Sequence, residues 1–392
     1  MSQFTAPLDR SALARTLAPF ADARTLPRAA YTDPEVLAWE RRHLFAASWV
    51  CAGRADRLGL AGTGPAQFAT TVGDTGVLLA RDGGSTLRAF ANICRHRGHE
   101  ILPCGAGTAR TTLVCPYHGW AFGLDGALRN APRFGERVEQ ADDLALVALG
   151  VAEWGGWVFV NVDGRAAPLA EHVGGLADLV ANWECDRLVV GAQHHYELQA
   201  NWKVGIENYH ECYHCPLIHP ELSRISPPDS GDNVEDLPGL FVGGSMDLAD
   251  FADTMSLDGR SRGVALPGLT DRERRQVLYF NVFPNLLISL HPDFVMTHRL
   301  EPVTPTVTHV ECQWLFDPAA VADPAFDPAY AVDFWDLTNR QDWAAVESVQ
   351  RGLNSPSYVP GVFGDHEDAV YHFQTMLACA YAGLPVRRRI AR

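Results

Sequence analysis

The sequence lacks the features that mark membrane, secreted and nucleic-acid-binding proteins. No apolar run reaches roughly 18 residues, the length at which a transmembrane helix is predicted. The first residues, MSQFTAPLDRSALARTLAPF, have neither the basic start nor the unbroken apolar stretch of a secretory signal. Lys and Arg (32) are outnumbered by Asp and Glu (47), and a net charge of −15 argues against a surface that neutralises phosphates.

Cysteine is scarce, and its nine residues, an odd number, do not suit a disulfide framework. Several cysteines stand beside histidines, which indicates metal chemistry in a reducing cytoplasm. At roughly 150 residues per domain, a chain of 392 residues suggests two or three domains. The sequence therefore predicts a cytoplasmic metalloprotein with neither a membrane nor a nucleic acid as a partner.

Three regions of the chain differ in the secondary structure that their sequence predicts. Residues 1–42 are predicted to be mostly helical, and residues 43–165 contain short β-rich runs split by glycines, as in a compact antiparallel domain. Residues 166–392 mix strands with helices. Residues 223–270 are rich in Gly, Asp, Ser and Pro, which predicts a long loop region or lid.

Several individual elements can be predicted. Asp33 followed by Pro34 is typical of a helix start, with Asp33 as the N-cap. Further helices are predicted near 201–214, 331–352 and 367–380. Strands are predicted at 75–80, 111–114, 156–160, 285–290 and 309–315.

The strongest local signal is Cys94-Arg-His96 followed by Cys115-Pro-Tyr-His118. Two thiolates and two imidazoles can hold either a zinc ion or a two-iron cluster. In a zinc finger the histidines usually come together on one helix, whereas here each segment supplies one Cys and one His. This arrangement favours a Rieske cluster, in which both cysteines bind one iron and both histidines bind the other.

These segments, ICRHRGHEI and CPYHGWAFGLDG, resemble the Rieske domain of ring-hydroxylating and related oxygenases. The resemblance implies a [2Fe-2S] cluster held by Cys94, His96, Cys115 and His118. The 18 residues between the two motifs slightly exceed the family's usual spacing, and Cys104 in the intervening Gly-rich turn is interpreted as a bystander. A structural zinc site is the alternative.

A second constellation, NWKVGIENYHECYHCPLIH, spans residues 201–219. Oxygen activation needs an iron with open coordination positions, commonly held by two His and one carboxylate. His214 and His219 match the paired imidazoles of the family's mononuclear iron motif. The rival interpretation is a zinc site that uses Cys212 and Cys215 with these histidines, although no second Cys pair follows at a suitable distance.

The third ligand must be a carboxylate that folding brings in. The segment 339–351, NRQDWAAVESVQR, resembles the family's late helix, in which an acidic residue eight positions before a Gln binds iron. This resemblance implies Asp342, and Glu347, on another face of the same helix, is the competitor.

The resemblance implies an α+β fold. An antiparallel-β Rieske domain (43–165) would precede a catalytic domain (166–392) with a curved antiparallel sheet packed on helices, of helix-grip or START-like type, on which the N-terminal segment (1–42) packs. The protein would be the terminal oxygenase of a multicomponent system, a monooxygenase or dioxygenase with a Rieske cluster, a mononuclear Fe(II) and O2 as co-substrate. It would work as a homotrimer.

The electrons would come from NAD(P)H through a separate flavin and iron–sulfur reductase, or through a ferredoxin and its reductase. No G-x-G-x-x-G fingerprint accompanies a βαβ pattern, so the nicotinamide is expected to bind another protein. An electron carrier is a minor alternative, because it would need only the first motif and would leave His214, His219 and Asp342 unexplained. A zinc-dependent structural protein is the other minor alternative.

Glu211 stands where most members that oxidise aromatic rings have Asp. The Glu-Cys-Tyr-His segment is similar to members that act on betaine- or carnitine-like quaternary ammonium compounds, which implies hydroxylation or N-demethylation of such a substrate. Hydroxylation or O-demethylation of an aromatic acid is the alternative. Candidates for cation–π contacts are Tyr209, Tyr279, Phe280, Phe283 and Trp314.

The resemblance also implies catalytic roles for Glu211 and Asn208. In the family the residue at the Glu211 position bridges two subunits. It would contact His214 of its own chain and His118 of a neighbouring subunit, and so carry an electron between subunits.

Overall fold

The protein divides into two compact units in the computed structural model, Arg41–Leu169 and a second unit formed by Met1–Glu40 with Ala170–Arg392. The structure describes residues 5–84, 86–135 and 143–388. Both units are built on antiparallel sheets, and helices accompany the sheet of the second, which confirms the predicted α+β class. Among the described residues no helix is long and apolar enough to cross a membrane.

The unit Arg41–Leu169 consists, in its described residues, mainly of β-strands that follow a helical turn at its start. Its strands are β1 (Val50–Arg54), β2 (Ala66–Val72), β3 (Thr75–Arg81), β4 (Leu87–Ala91), β5 (Gly107–Thr108), β6 (Thr112–Val114), β7 (Ala121–Gly123), β8 (Leu128–Asn130), β9 (Ala148–Trp154) and β10 (Trp157–Asn161). One sheet has the order β1-β10-β9-β4-β3-β2-β5, and a small sheet has the order β6-β7-β8. The predicted strands at 75–80, 111–114 and 156–160 are confirmed as β3, β6 and β10.

The core of this unit reaches the first metal motif. Leu78, Phe90 and Phe122 form its centre, and the side chains of Cys94 and Cys115 are buried in the same cluster. The two thiols are therefore shielded from water by the apolar side chains that stabilise the unit.

The second unit carries all the longer helices among the described residues. The helices are α1 (Arg10–Thr16), α2 (Ala29–Thr32), α3 (Pro34–Trp39), α4 (Leu169–Val173), α5 (Leu176–Leu179), α6 (Trp202–Tyr209), α7 (Cys215–Ile218), α8 (Pro220–Ile225), α9 (Pro318–Ala322), α10 (Ala329–Leu353) and α11 (Asp368–Tyr381). Asp33 accepts a hydrogen bond from the backbone N–H of Glu35, which confirms it as the N-cap of α3.

One antiparallel sheet of seven strands organises this unit, in the order β11-β17-β16-β15-β14-β13-β12. The strands are β11 (Val189–Leu198), β12 (Asp232–Asn233), β13 (Phe241–Asp247), β14 (Gln276–Val282), β15 (Leu286–Leu290), β16 (Val295–Thr304) and β17 (Val307–Phe316). The predicted strands near 285–290 and 309–315 are confirmed as β15 and β17, and the helices near 331–352 and 367–380 as α10 and α11.

Two predictions need correction. The segment 223–270 is not one long loop, because β13 pairs with β14 along its whole length. Gly243 and Gly244 are untypical of a strand, so the sequence pattern did not predict β13. The structure requires glycine at 243, because a Cβ there would lie 1.9 Å from a backbone oxygen of β14. The helix predicted at 201–214 ends at Tyr209, and a loop carries the residues that follow.

A buried ion pair ties the N-terminal helices to α6. Lys203 Nζ lies 2.6 Å from Glu40 Oε1, and neither side chain is exposed. Trp202 Nε1 donates to the other oxygen of Glu40 at 3.0 Å, and the hydroxyl of Tyr381 donates to the first. These hydrogen bonds satisfy a buried carboxylate that would otherwise be costly. They hold α6, which leads into the second metal motif.

Candidate metal centres and their cavity

Two loops of the unit Arg41–Leu169 have the same pattern of backbone hydrogen bonds. The N–H of Cys94 donates to the carbonyl five residues later at 2.8 Å, and its own carbonyl accepts from Gly98 at 3.0 Å. Cys115 repeats both bonds, at 2.8 Å to the carbonyl five residues on and at 3.1 Å from Gly119. Both glycines have φ +73°, a left-handed conformation that favours glycine. The repeated turn presents one Cys and one His from each loop.

The four side chains form a layered arrangement. Cys94 and Cys115 are buried, and burial together with the neighbouring Cys115 thiol raises the pKa of Cys94. His96 and His118 lie further out, with 3.1 Å between their Nδ1 atoms, and His118 is exposed. The ring of His96 stacks on Trp120 at 5.1 Å between centroids, which holds its orientation.

This donor set fits a two-iron cluster better than a single ion. A zinc ion needs its ligand atoms to converge on one point. These four side chains do not converge in this way. Among the described residues, no three of their ligand atoms belong to a group whose atoms all lie within 4.8 Å of one another. Cys104 is exposed and contacts Thr71 at 3.5 Å, away from the paired thiols.

The second centre gathers residues that are distant in the sequence. Asp342 Oδ1 lies 2.8 Å from His219 Nε2 and 3.3 Å from His214 Nε2. The two histidines flank the single turn of α7, which sets their separation. In α10, Trp335, Thr338 and Asp342 follow the three- and four-residue spacing of one helix face.

The competing carboxylate lies elsewhere. Glu347 is five positions beyond Asp342, which turns it well away from that face of α10. Its carboxylate accepts a hydrogen bond from the backbone N–H of Gln199 at 3.1 Å. The structure therefore brings Asp342, and not Glu347, to the paired histidines.

Two further side chains hold the imidazoles in place. Glu211 Oε1 lies 2.6 Å from His214 Nδ1, and its other oxygen accepts from the His214 backbone N–H at 3.1 Å. Gln341 Oε1 accepts from His219 Nδ1 at 2.7 Å. With each Nδ1 occupied, each Nε2 faces Asp342 and can bind a metal ion. Sequence reasoning missed Gln341, whose position beside Asp342 was the available signal.

The charges of the centre suit a cation. Burial lowers the pKa of His214, but hydrogen bonds to Asp342 and Glu211 outweigh it and raise that pKa to about 9. Burial raises the pKa of Asp342, yet the hydrogen bonds from both histidines hold it below its usual value. A site that stabilises positive charge on its imidazoles can hold a divalent ion in place of those protons. Asn208 Nδ2 lies 3.4 Å from His214 Nε2, at the edge of this site.

The zinc interpretation of this segment is wrong for the structure described. Cys212 and Cys215 are joined in a disulfide, so their thiols are not available as zinc ligands. The other seven cysteines are free thiols, and all of them except Cys104 are buried.

A cavity of about 780 Å³ opens beside the second centre and contains all three of its ligand residues in its wall. Tyr209, Tyr279 and Trp335 form an aromatic wall, with centroids 6.0 Å apart in the first pair and 6.3 Å in the second. The Tyr279 hydroxyl and Trp335 Nε1 have no hydrogen-bond partner in the described part of the chain.

The predicted aromatic set is partly wrong. Phe280, Phe283 and Trp314 are fully buried in the core and do not line the cavity, whereas Trp335, not predicted, does. The acidic residues of the cavity wall are Glu211, Asp229, Asp232, Glu235, Asp342, Asp365 and Asp368. Neither Lys nor Arg is found among the described residues that line it.

Two family descriptions match the chain. Residues 48–147 match "Rieske [2Fe-2S] domain", and residues 185–383 match "Ring hydroxylating alpha subunit (catalytic domain)". The matches cover the two loops of the first centre and all three residues of the second.

Curated relatives resemble most of the chain. The glycine betaine monooxygenase oxygenase subunit of Chromohalobacter salexigens is 30% identical over 369 residues, which is 86% of this chain and 81% of that protein. The chloroplastic choline monooxygenase of Amaranthus tricolor is 28% identical over 92% of this chain and 78% of its own length. The carnitine monooxygenase oxygenase subunit of Acinetobacter baumannii is 38% identical, over 50% of this chain and 53% of that protein.

Solved structures share the fold. The quaternary ammonium Rieske monooxygenase CntA in complex with L-carnitine superposes with a TM-score of 0.76 at 26% identity, over 95% of this chain and 100% of that one. Naphthalene 1,2-dioxygenase from Rhodococcus sp. has a TM-score of 0.75 at 20% identity, over 96% and 97% of the two chains, a likeness of fold alone.

Proposed function

Because this chain belongs to the ring-hydroxylating oxygenase alpha subunits that carry a Rieske [2Fe-2S] domain, we propose that it oxidises a quaternary ammonium compound. Family membership makes it an oxygenase subunit, an oxidoreductase that uses a Rieske cluster, a mononuclear iron and O2. Oxygenase subunits of such multicomponent systems receive their electrons from a separate reductase or ferredoxin.

One observation supports a quaternary ammonium substrate: the cavity beside the second centre is lined by both acidic and aromatic side chains. A trimethylammonium group cannot donate a strong hydrogen bond, so aromatic faces and nearby carboxylates are the groups that attract it. Tyr209, Tyr279 and Trp335 supply the faces. An aromatic acid would bring its own carboxylate among these acidic side chains without a Lys or Arg in the described wall, which disfavours the alternative substrate.

Each side chain of the two centres receives a role in this proposal. Cys94, Cys115, His96 and His118 hold the cluster. His214, His219 and Asp342 hold the iron, which when bound supplies the activation of O2 next to the substrate. Glu211 and Gln341 orient the iron-binding imidazoles through their Nδ1 atoms, and Asn208 lies at the edge of the open side.

The reaction balances as a monooxygenation. One O2, two electrons and two protons are consumed; one oxygen atom enters a methyl C–H bond as a hydroxyl and the other leaves as water. For N-demethylation, the C–N bond of the hydroxymethyl group then breaks and releases formaldehyde, a tertiary amine and a proton. The cavity wall holds the cation so that a methyl group faces the metal centre.

We further propose that three copies close into a ring, since head-to-tail contacts between identical chains form cyclic assemblies. In that ring Glu211 would link His214 to His118 of a neighbouring subunit. The iron–sulfur cluster and the seven free thiols suit a reducing compartment, and we propose the cytoplasm, although Cys212 and Cys215 form a disulfide.

The direct test is oxygen uptake by the purified oxygenase with a ferredoxin and reductase pair and NADH. A panel of trimethylammonium compounds and aromatic acids is compared, with formaldehyde and hydroxylated products measured. We expect O2 consumption coupled to product for at least one ammonium compound. Coupled oxidation of an aromatic acid, with every ammonium compound inert, would overturn the proposal.

A variant pair tests the aromatic wall. Tyr279→Leu removes a ring, and we expect the KM for the ammonium substrate to rise about tenfold, because a desolvated cation–π contact is worth about 1–2 kcal/mol. Tyr279→Phe keeps the ring and should have a smaller effect. Equal effects of the two substitutions would show that the ring face does not bind the cation.

A further inference from the structure

A second group of titratable side chains lies in the same unit as the iron site. Ligand atoms of Glu235, Asp368 and His372 lie within 4.8 Å of one another. Glu235 and Asp368 line the cavity that holds His214, His219 and Asp342. The roles proposed above for the metal centre leave this group without a function.

The contacts inside the group leave one buried nitrogen unsatisfied. Asn233 Nδ2 donates to both oxygens of Asp368, at 2.9 and 3.0 Å. His372, one turn further along α11, is 2% exposed, and its Nε2 has no hydrogen-bond partner in the described residues. The carboxylate oxygen of Glu235 lies 3.6 Å from that nitrogen, slightly beyond hydrogen-bonding distance. A buried polar atom that is left open in this way indicates a missing partner.

The group carries negative charge that its surroundings neutralise only in part. Burial lowers the pKa of His372 to about 4, so its imidazole is neutral at pH 7. Arg388 is the cation that acts on both Glu235 and His372. Its guanidinium, however, donates to the backbone carbonyls of Val234 and Leu237 and does not line the cavity. Among the described residues, neither carboxylate forms a salt bridge with a Lys or Arg, and Arg388 offsets the charge of Glu235 only from a distance.

We propose that Glu235 and Asp368, with His372 buried beside them, form a second recognition subsite in which the two carboxylates bind a hydrogen-bond donor, a hydroxyl or an amine, on the substrate cation. The inference rests on the proposed function, since it concerns the same substrate. A substrate that carries a carboxylate at this position is rejected, because like charges in a poorly solvated cavity repel each other. The preferred substrate is an organic cation with a donor group, and not a zwitterion.

The first experiment uses the wild-type oxygenase and its electron-transfer partners. The substrates compared are choline, which has a hydroxyl, 2-aminoethyltrimethylammonium, which has an amine, ethyltrimethylammonium, which has no donor, and glycine betaine and L-carnitine, which have a carboxylate. We expect kcat/KM for the better donor substrate to exceed that for ethyltrimethylammonium by about tenfold or more, as a hydrogen bond to a charged acceptor provides. The hydroxyl and amine compounds show which donor the subsite prefers.

Variants then connect this preference to the subsite. In Glu235→Gln and Asp368→Asn, the advantage of the donor substrate over ethyltrimethylammonium should shrink to about twofold. The ratio of the two kcat/KM values is the readout, because loss of a wall carboxylate weakens the attraction of both cations. Asp236→Asn is the matched control, since Asp236 is exposed, adjacent in sequence and absent from the cavity wall. The visible absorption of the cluster checks that each variant is folded.

Several outcomes would overturn the inference. Faster turnover of betaine or carnitine than of both donor compounds would do so, as would an unchanged preference in both subsite variants. Loss of one bound metal equivalent in Glu235→Gln would make the group a metal site instead. If no ammonium compound were oxidised, the proposed function would fail, whereas the order of binding affinities measured by calorimetry would still test the subsite.

Discussion

The two candidate metal centres are built by the chain in opposite ways. The first takes its four side chains from two loops with the same hydrogen bonds, and its imidazoles lie at or near the surface. The second joins His219 to Asp342, 123 residues later in the sequence, and His219 is 1% exposed. One centre is local and outward-facing, and the other is assembled by tertiary structure beside a cavity.

This difference matches what each centre must do. Electron transfer needs a short path to a partner, and exposed imidazoles such as His118 provide it without a pocket. Oxygen chemistry on a substrate needs a shielded volume with open coordination positions, which an assembled site beside a cavity supplies. A sequence motif can encode the first kind of site almost completely. The second kind requires the sheet and α10 to be in place.

The largest effect should separate the two centres completely. Wild-type protein should contain about three irons and two acid-labile sulfides per chain. His214→Ala should lose the mononuclear iron and lower oxygenation on the order of a thousandfold or more, while the cluster absorption remains. Iron analysis, visible spectra and product formation are the measurements.

The same experiment decides between the two carboxylates of α10. Asp342→Asn should behave like His214→Ala, and Glu347→Gln, the control on the same helix, should keep all its iron. Loss of the cluster colour in His214→Ala, or loss of iron in Glu347→Gln, would contradict the assignment of the second centre.

The next effect concerns the stability of the assembled centre's scaffold. Lys203→Met leaves Glu40 buried without its cation and should lower the free energy of unfolding by about 3–5 kcal/mol. Arg187→Met breaks an exposed pair with Glu184 (side chains 60% and 46% exposed) and should cost less than about 1 kcal/mol. Thermal unfolding followed by circular dichroism measures both. A similar melting temperature for the two variants would show that the Lys203–Glu40 ion pair does not stabilise this unit.

A smaller effect tests whether the two centres communicate through Glu211. Glu211→Gln keeps the size of the side chain and removes its charge, so both metal centres should remain while oxidation of the reduced cluster slows about 10- to 100-fold. Glu211→Asp should be partly impaired, because its shorter arm no longer reaches His214 Nδ1 as closely. Single-turnover spectroscopy gives the rate. A wild-type rate in Glu211→Ala would show that electrons take another route.

The smallest effect is a loss of stability in weak acid. Burial lowers the pKa of His172 and of His372 to about 4, against 6.5 in the unfolded chain. Between these values the unfolded state binds more protons, so stability falls as the pH falls. Each histidine should cost about 0.7 kcal/mol between pH 7 and pH 6.

Denaturant unfolding at the two pH values measures this loss. His172 donates to the carbonyl of Phe283 at 2.7 Å, and His172→Gln keeps a donor there while removing the titration. The variant should therefore show a shallower pH dependence than the wild type. An equal or steeper dependence would mean that His172 is already protonated in the folded state.

Local features of both centres could be predicted from the sequence. The Cys-x-His and Cys-x-x-His segments, the glycines that allow their turns, and the five-residue separation of His214 and His219 all depend on neighbours in the chain. The same holds for the N-cap Asp33. Hydrogen bonds within a few residues determine such features, so the order of residues is sufficient to predict them.

Other features depended on the tertiary structure. The pleat and pairing of β13, the face that α10 turns to the cavity and the contact between Gln341 and His219 arise between segments far apart in the chain. The grouping of Glu235 with Asp368 and His372 has the same origin. No local spacing encodes these contacts, because burial of apolar surface by the sheet and helices decides which side chains meet. The sequence alone therefore determined the metal-binding motifs and the family, and the folded structure decided which carboxylates line the cavity and which aromatic rings face it.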